Sequence, residues 1–446
     1  MNSEERIAKA LEVSTDTRAF EMGRDNLCLA PALYKRFFGE HKAVVVADRN
    51  TWKAAGERVF AHFTDAGIPT EKFLFEEDEF HADWDHIETL DKVLDESGAV
   101  AVSVGSGTIN DLCKLCSHHH KQSYLTIPTA ASVDGYTSFG ASITYQNSKQ
   151  TFDCPAPVAV LADTAVLAAA PKDMTAAGYA DLAAKVPAGG EWIIADLVGS
   201  EPIIPEAWHV LQDDLDSFLS RPEAVGAGDP DAIADIFEGL TLSGIAMQAA
   251  KSSRPASCCD HLFSPILDMT GYRYKGKLVS HGFQVAVGTL TMCAVFDNLF
   301  KLDLGGLDVD AAEAAWPSLE EEQKRALELF HDFPVPLLGY NEITKKYADA
   351  TVVRKELEKL KAEWPSLKRR LQGQVYSYEK MHRLLKAAGA PADPADIGLT
   401  REALRDMFPL VQLMRFRYNV LDLAKRGGFY DKIVSPLFAK GGVFEI

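Results

Sequence analysis

Apolar positions up to about Pro171 fall into short runs separated by amphipathic stretches. Residues 43–47 (AVVVA) form a β-branched run closed by Asp48, and residues 51–67 have the spacing of a helix. Residues 72–75 read as the next strand, and residues 84–97, apolar at every third or fourth position, as the next helix. Residues 100–104 (VAVSV) run straight into Gly105, residues 124–127 stop at Pro128, and residues 158–162 supply a later strand. This alternation predicts a parallel sheet with helices on both faces. Ligands of such sheets sit beyond the carboxyl ends of the strands, which marks Asp48, Gly105 and Thr129.

From Ala176 onward the periodicity becomes helical and strand-like runs disappear. Residues 223–231, 304–308 and 388–396 read as loops between helices, and no internal repeat is evident. The expected fold is α/β plus all-α, with the change near residues 171–175. A Rossmann-like parallel-sheet domain spans residues 1–175, and a helical domain spans 176–446. A length of 446 residues fits two domains better than one core.

Composition narrows the partners. A formal charge of −18 argues against nucleic acid, whose binders concentrate positive charge. The basic stretch from Arg354 to Arg370 is broken by Glu356, Glu358 and Glu363, so it reads as a salt-bridged helix surface. No start resembles a signal peptide, and the apolar stretch between Pro155 and Pro171 contains Asp163, so no membrane insertion is expected. Seven cysteines, with Cys113 and Cys116 as an isolated pair inside a helix, point to reduced thiols and a cytoplasmic setting. His118, His119 and His120 are consecutive at a helix end, where they suit the dipole better than a metal. No Gly-x-Ser-x-Gly elbow is present.

Gly105, Ser106, Gly107, Thr108 and Ile109 join a strand to a helix. Two glycines allow close approach of a pyrophosphate, and a helix start offers unpaired N–H groups. Asn110 occupies the last position of what would be a full G-x-G-x-x-G, so a structural turn stays an open reading. Thr129, Ala130, Ala131 and Ser132 form a second small-residue loop after the next strand. Asp48 suits ribose hydroxyls and disfavours a 2′-phosphate, which favours NAD over NADP; a helix N-cap is the competing role. In the second half, Asp181, His261 and His281 have the chemistry of a divalent-metal site with open positions. On residue type alone each could equally be a satisfied core residue.

Taken together these stretches resemble the sn-glycerol-1-phosphate dehydrogenase family, particularly its bacterial AraM-like branch. That group lies within the iron-containing alcohol dehydrogenase, glycerol dehydrogenase and dehydroquinate synthase superfamily. The matching segments, in order, are GSGTINDLCK (105–114), PTAASVDGYTS (128–138), AGYADLAAK (177–185), GGEWIIADLVG (189–199), SRPAS (253–257) and SHGFQVAVGTL (280–290). The resemblance implies a dehydroquinate-synthase-like fold and NADH- or NADPH-dependent reduction of dihydroxyacetone phosphate to sn-glycerol 1-phosphate. It implies zinc or nickel on Asp181, His261 and His281, a donor set that by its chemistry also suits iron. It adds Ser138 to the nucleotide loops and gives Asp134 a contact with substrate, with Asp134 and Asp181 as the catalytic carboxylates. A small polyol or polyol phosphate is the implied partner, and a homo-oligomer the default assembly.

One position departs from the family pattern. Pro265 stands four residues after His261, where the family commonly has a second, substrate-contacting histidine. Cys258, Cys259 and Asp260 also replace the usual small residues and glutamate. The alternative is therefore a dehydrogenase of the same scaffold acting on another polyol, sugar or polyol phosphate. Lys185, Lys251 and Arg254 are candidates for holding a substrate anion. A lyase of the dehydroquinate synthase kind and a binding protein without catalysis are the competing classes; net NADH consumption separates the dehydrogenase from the lyase, and ligand binding without turnover marks the binding protein.

Overall fold

The computed structural model describes residues 2–77, 80–146 and 148–446. All the expected strands form: β2 (Ala43–Asp48), β3 (Thr70–Phe75), β4 (Val100–Gly105), β5 (Leu125–Pro128) and β8 (Ala159–Asp163). They are joined by β1 (Ala19–Gly23) in a six-stranded sheet of order β1-β8-β5-β4-β2-β3, every pair parallel. Alternate residues serve opposite faces, as the pleat requires. Val45, Val102, Val104 and Ile127 pack with Val59 and Phe63 on one side, whereas Val44, Val46 and Ala101 pack with Leu90 and Leu112 on the other. An antiparallel hairpin, β6 (Ala141–Tyr145) with β7 (Ser148–Phe152), and a short one, β9 (Arg273–Tyr274) with β10 (Lys277–Leu278), complete the strands described.

By packing, the chain divides into one unit of Met1–Leu182 with Pro205–Pro255 and another of Ala183–Ile204 with Ala256–Ile446. Composition and packing do not change at the same place. The helical segment Pro205–Pro255 belongs with the sheet, because helix Pro230–Ala250 lies against helices Ser3–Val13 and Thr164–Ala168. Gln248 of that helix donates to Thr17 Oγ1 at 3.0 Å and accepts from Ser14 Oγ at 2.7 Å. Glu238 pairs with Arg6 at 2.6 Å.

The second unit is helical, its centre being helix His281–Leu299, buried along most of its length. It packs against helices Cys259–Met269, Tyr378–Ala387 and Tyr430–Phe438. Residues 223–231, expected as a loop, mostly form helix Pro222–Ala227. Proline in its first turn and a left-handed Gly228 at its end give it a start and a stop. Arg354 pairs with Asp310, Glu313 and Glu358, the salt-bridged surface expected there.

Candidate functional site

The strand order reverses between β2 and β4. The chain leaves β2 toward β3 on one side and β4 toward β5 on the other, so the carboxyl ends of β2 and β4 flank a crevice. Asp48 and Gly105 are the last residues of these strands. Asp48 caps the helix that follows, Oδ1 accepting from Asn50 N at 2.7 Å and Thr51 N at 2.9 Å. The cap employs Oδ1 alone. Ser106 precedes helix Gly107–His119 in extended backbone and makes no side-chain cap. No N-cap side chain therefore takes up a first-turn N–H there, which is compatible with a helix start that receives an anion.

Thr129 N–H donates to the Gly105 carbonyl at 3.0 Å, which ties the two small-residue loops together. Ala130 and Ala131 are buried, and Thr129 and Ser132 nearly so. Helix Lys172–Ala183 presses on this loop at Gly178, where a Cβ would lie 1.9 Å from the Ala131 carbonyl oxygen. Tyr136 OH donates to Ala130 O at 2.8 Å. Asp134 sits next in the chain. Its N–H donates to Asp181 Oδ2 at 2.9 Å, and its Oδ2 accepts from Ser243 Oγ at 2.8 Å. Ser138 directs its hydroxyl to the Gly135 carbonyl at 3.1 Å.

Two residues to which sequence reasoning gave no role in the site hold this segment. Asn110 Nδ2 donates to Gly135 O at 3.1 Å. The Lys114 ammonium, fully buried, donates to the carbonyls of Gly135, Ser138 and Gly140 at 2.8, 3.0 and 2.9 Å. They lie four residues apart on helix Gly107–His119, hence on one face. The signal was a lysine among otherwise apolar inward positions. Asp111, beside Lys114 at 3.5 Å, has its carboxyl pushed up by burial and drawn back by that ammonium.

His261 and His281 begin successive helices, Cys259–Met269 and His281–Leu299, and their ring centroids are 5.5 Å apart. Glu191, itself buried, places the first of these helices. Its Oε2 accepts from Cys259 N–H and its Oε1 from Val420 N–H, each at 2.9 Å. Burial, then the charge of Asp260, pushes the Glu191 carboxyl up. His261 Nδ1 meets Asp260 Oδ2, and His281 Nδ1 meets Ser264 Oγ at 2.8 Å. In the second unit the imidazoles of His261 and His281 thus stand side by side at adjoining helix starts, and Asp181, near the end of helix Lys172–Ala183, is buried in the first. A carboxylate with two imidazoles suits a borderline divalent cation and leaves coordination positions open.

The remaining candidates separate by burial. Arg254 and Lys185 are buried, whereas Lys251 is exposed in a left-handed cap after helix Pro230–Ala250. His119 and His120 lie beside Asp91 at 2.6 and 3.4 Å, at the helix end. All seven cysteines are free, and burial pushes the Cys113 thiol up to about 12 and that of Cys116 further. Pro265 lies inside its helix, one turn beyond His261, with no side-chain donor to offer there.

Residues 22–171 match the family profile described as iron-containing alcohol dehydrogenase. Glycerol-1-phosphate dehydrogenase [NAD(P)+] of Bacillus licheniformis is 32% identical over 289 residues, covering 64% of this chain and 72% of the relative. The chain belongs to the glycerol-1-phosphate dehydrogenase family. The enzyme of that name from Geobacillus thermodenitrificans is 31% identical over 320 residues, 68% of this chain and 77% of its own length. Among solved structures, maleylacetate reductase from Agrobacterium tumefaciens aligns with a TM-score of 0.59 at 14% identity, covering 95% of this chain and 97% of that one. Glycerol dehydrogenase from Schizosaccharomyces pombe aligns at 0.52 and 19% identity, covering 91% and 95%. These two likenesses show the fold, a parallel-sheet part followed by a helical part. No helix among the described residues is long and apolar enough to cross a membrane.

Proposed function

We propose that this chain is a metal-dependent, NAD(P)-linked dehydrogenase that interconverts dihydroxyacetone phosphate and sn-glycerol 1-phosphate. The observation that carries the reading is the pair of imidazoles, His261 and His281, at adjoining helix starts, joined to the names of the relatives; Asp181 would be the third ligand. Zinc, nickel or iron would suit this donor set. When bound, the cation would polarise the substrate carbonyl and stabilise charge on its oxygen, while NAD(P)H would supply the hydride.

The protein's own part is to bind and orient. The helix start at Gly107 is offered to the dinucleotide pyrophosphate, with Thr108, Ile109 and the loop from Thr129 to Ser132 lining its path. The Asp48 oxygen outside the cap is suited to a ribose hydroxyl, which argues for NAD. Asp134, held by Ser243, is placed to orient a substrate hydroxyl next to Asp181. Arg254 offers a planar fork for the substrate phosphate. Seven free thiols suit a reducing, cytoplasmic setting, and a homo-oligomer is the expected assembly.

A second reading, a different polyol or sugar phosphate, is favoured by Pro265 alone. The test is NADH oxidation by metal-reconstituted protein with dihydroxyacetone phosphate, dihydroxyacetone and other ketoses. Rapid turnover of the phosphate, abolished in Asp181→Ala, supports the first reading. Turnover of another ketose in its place, with NADH bound normally, supports the second.

A further inference from the structure

Ser264 stands between two partners that constrain its single proton. Its Oγ lies 2.5 Å from Gln284 Oε1 and 2.8 Å from His281 Nδ1. The far end of Gln284 settles which way its amide points. There Nε2 donates to Asp268 Oδ1 at 2.9 Å and to the Val279 carbonyl at 3.2 Å. A backbone carbonyl can only accept, so the amide nitrogen must face it, and the amide oxygen must face Ser264. That oxygen also only accepts, and it therefore takes the Ser264 proton. What Ser264 presents to His281 is a lone pair, and Nδ1 must be the donor.

From this geometry we infer that Val279, Asp268, Gln284 and Ser264 fix His281 as its Nδ1–H tautomer, leaving Nε2 as the nitrogen with a lone pair for a metal. Ser264 and Gln284 are each 1% exposed, so water does not compete for either proton. Ser264, Gln284 and Asp268 are positioning residues, acting on the ligand rather than on substrate. The arrangement uses only the two successive helices and the turn before the second. Metal-binding imidazoles commonly donate their other nitrogen in this way, and loss of such a partner weakens binding about 10- to 100-fold. The metal role of His281 rests on the proposed function; its tautomer does not.

The experiment is long-range 1H–15N NMR of the metal-free protein labelled at histidine, with the His281 signals assigned by their loss in His281→Asn. The expected spectrum has a protonated Nδ1 and an unprotonated Nε2. In Ser264→Ala the two tautomers mix, and calorimetric zinc affinity falls about 10- to 100-fold; Ser264→Thr, which keeps the hydroxyl, retains both properties. An Nε2–H tautomer in the unaltered protein overturns the inference, as does wild-type zinc affinity in a folded Ser264→Ala. If Ser264→Ala does not fold, the spectrum of the unaltered protein decides alone. Zinc affinity unchanged in His281→Asn would overturn the metal reading instead, leaving the tautomer result standing.

Discussion

Arg254 is 2% exposed, and a guanidinium so deeply placed is kept for what it binds rather than for solubility. If it forks the substrate phosphate, Arg254→Lys retains the charge and loses the bidentate geometry. The expected result is a KM for dihydroxyacetone phosphate raised about 10-fold or more, equivalent to one charge-assisted hydrogen bond. Dihydroxyacetone, lacking the phosphate, should show little change in kcat/KM. Equal losses for both substrates would remove Arg254 from the phosphate site. Asp48 teaches a related lesson at this scale. Cap and ribose ligand looked like competing roles in the sequence, but a carboxylate has two oxygens, and the cap employs one. Asn110 looked like a defect in a glycine fingerprint; together with Lys114 it holds the Gly135 carbonyl.

Between elements, contact distance becomes the governing quantity. Helices Cys259–Met269 and His281–Leu299 approach so closely that a Cβ on Gly288 would lie 2.0 Å from the Asp260 carbonyl oxygen. Backbone cannot yield as a flexible side chain can. Gly288→Ala should cost about 3 kcal/mol in chemical denaturation and, because each helix opens with a candidate ligand, should weaken zinc binding in the same sample. A stable variant with unchanged zinc affinity would show that the helices can part without disturbing the imidazoles. This packing also marks the limit of reading from sequence. The central strands were legible because both faces are buried and their runs are continuously apolar. β1 was not, since AFEMG is interrupted by Glu21, buries only Ala19 fully and pairs only with β8 at the sheet edge. Ser264 carried no signal either. A serine in an amphipathic helix reads as solvated, and nothing local shows that it meets His281, seventeen residues on.

At the scale of the whole molecule, the chain passes between its two packed units at Leu182, Ile204 and Pro255, so no single cut separates them. A fragment ending at Leu182 would keep the sheet and lose helix Pro230–Ala250, with the partners of Arg6, Ser14 and Thr17. Its thermal unfolding, followed by circular dichroism, should lack a cooperative transition; a covalent join of residues 1–182 to 205–255 should restore one. A cooperative melt of the shorter fragment would show that the sheet needs no such support. The hydrogen bonds of this unit have a thermodynamic corollary. From helix Gly107–His119, Asn110 and Lys114 grip Gly135, and the neighbouring Asp134 N–H grips Asp181. On the proposed function, dinucleotide and cation would not be independent ligands: ordering the segment for one would lower the cost of ordering it for the other. Reciprocity requires that the factor by which NADH tightens zinc equal the factor by which zinc tightens NADH, expected at about 5-fold or more. Titrations run in both orders should return that one number, and Asn110→Ala should carry it toward unity.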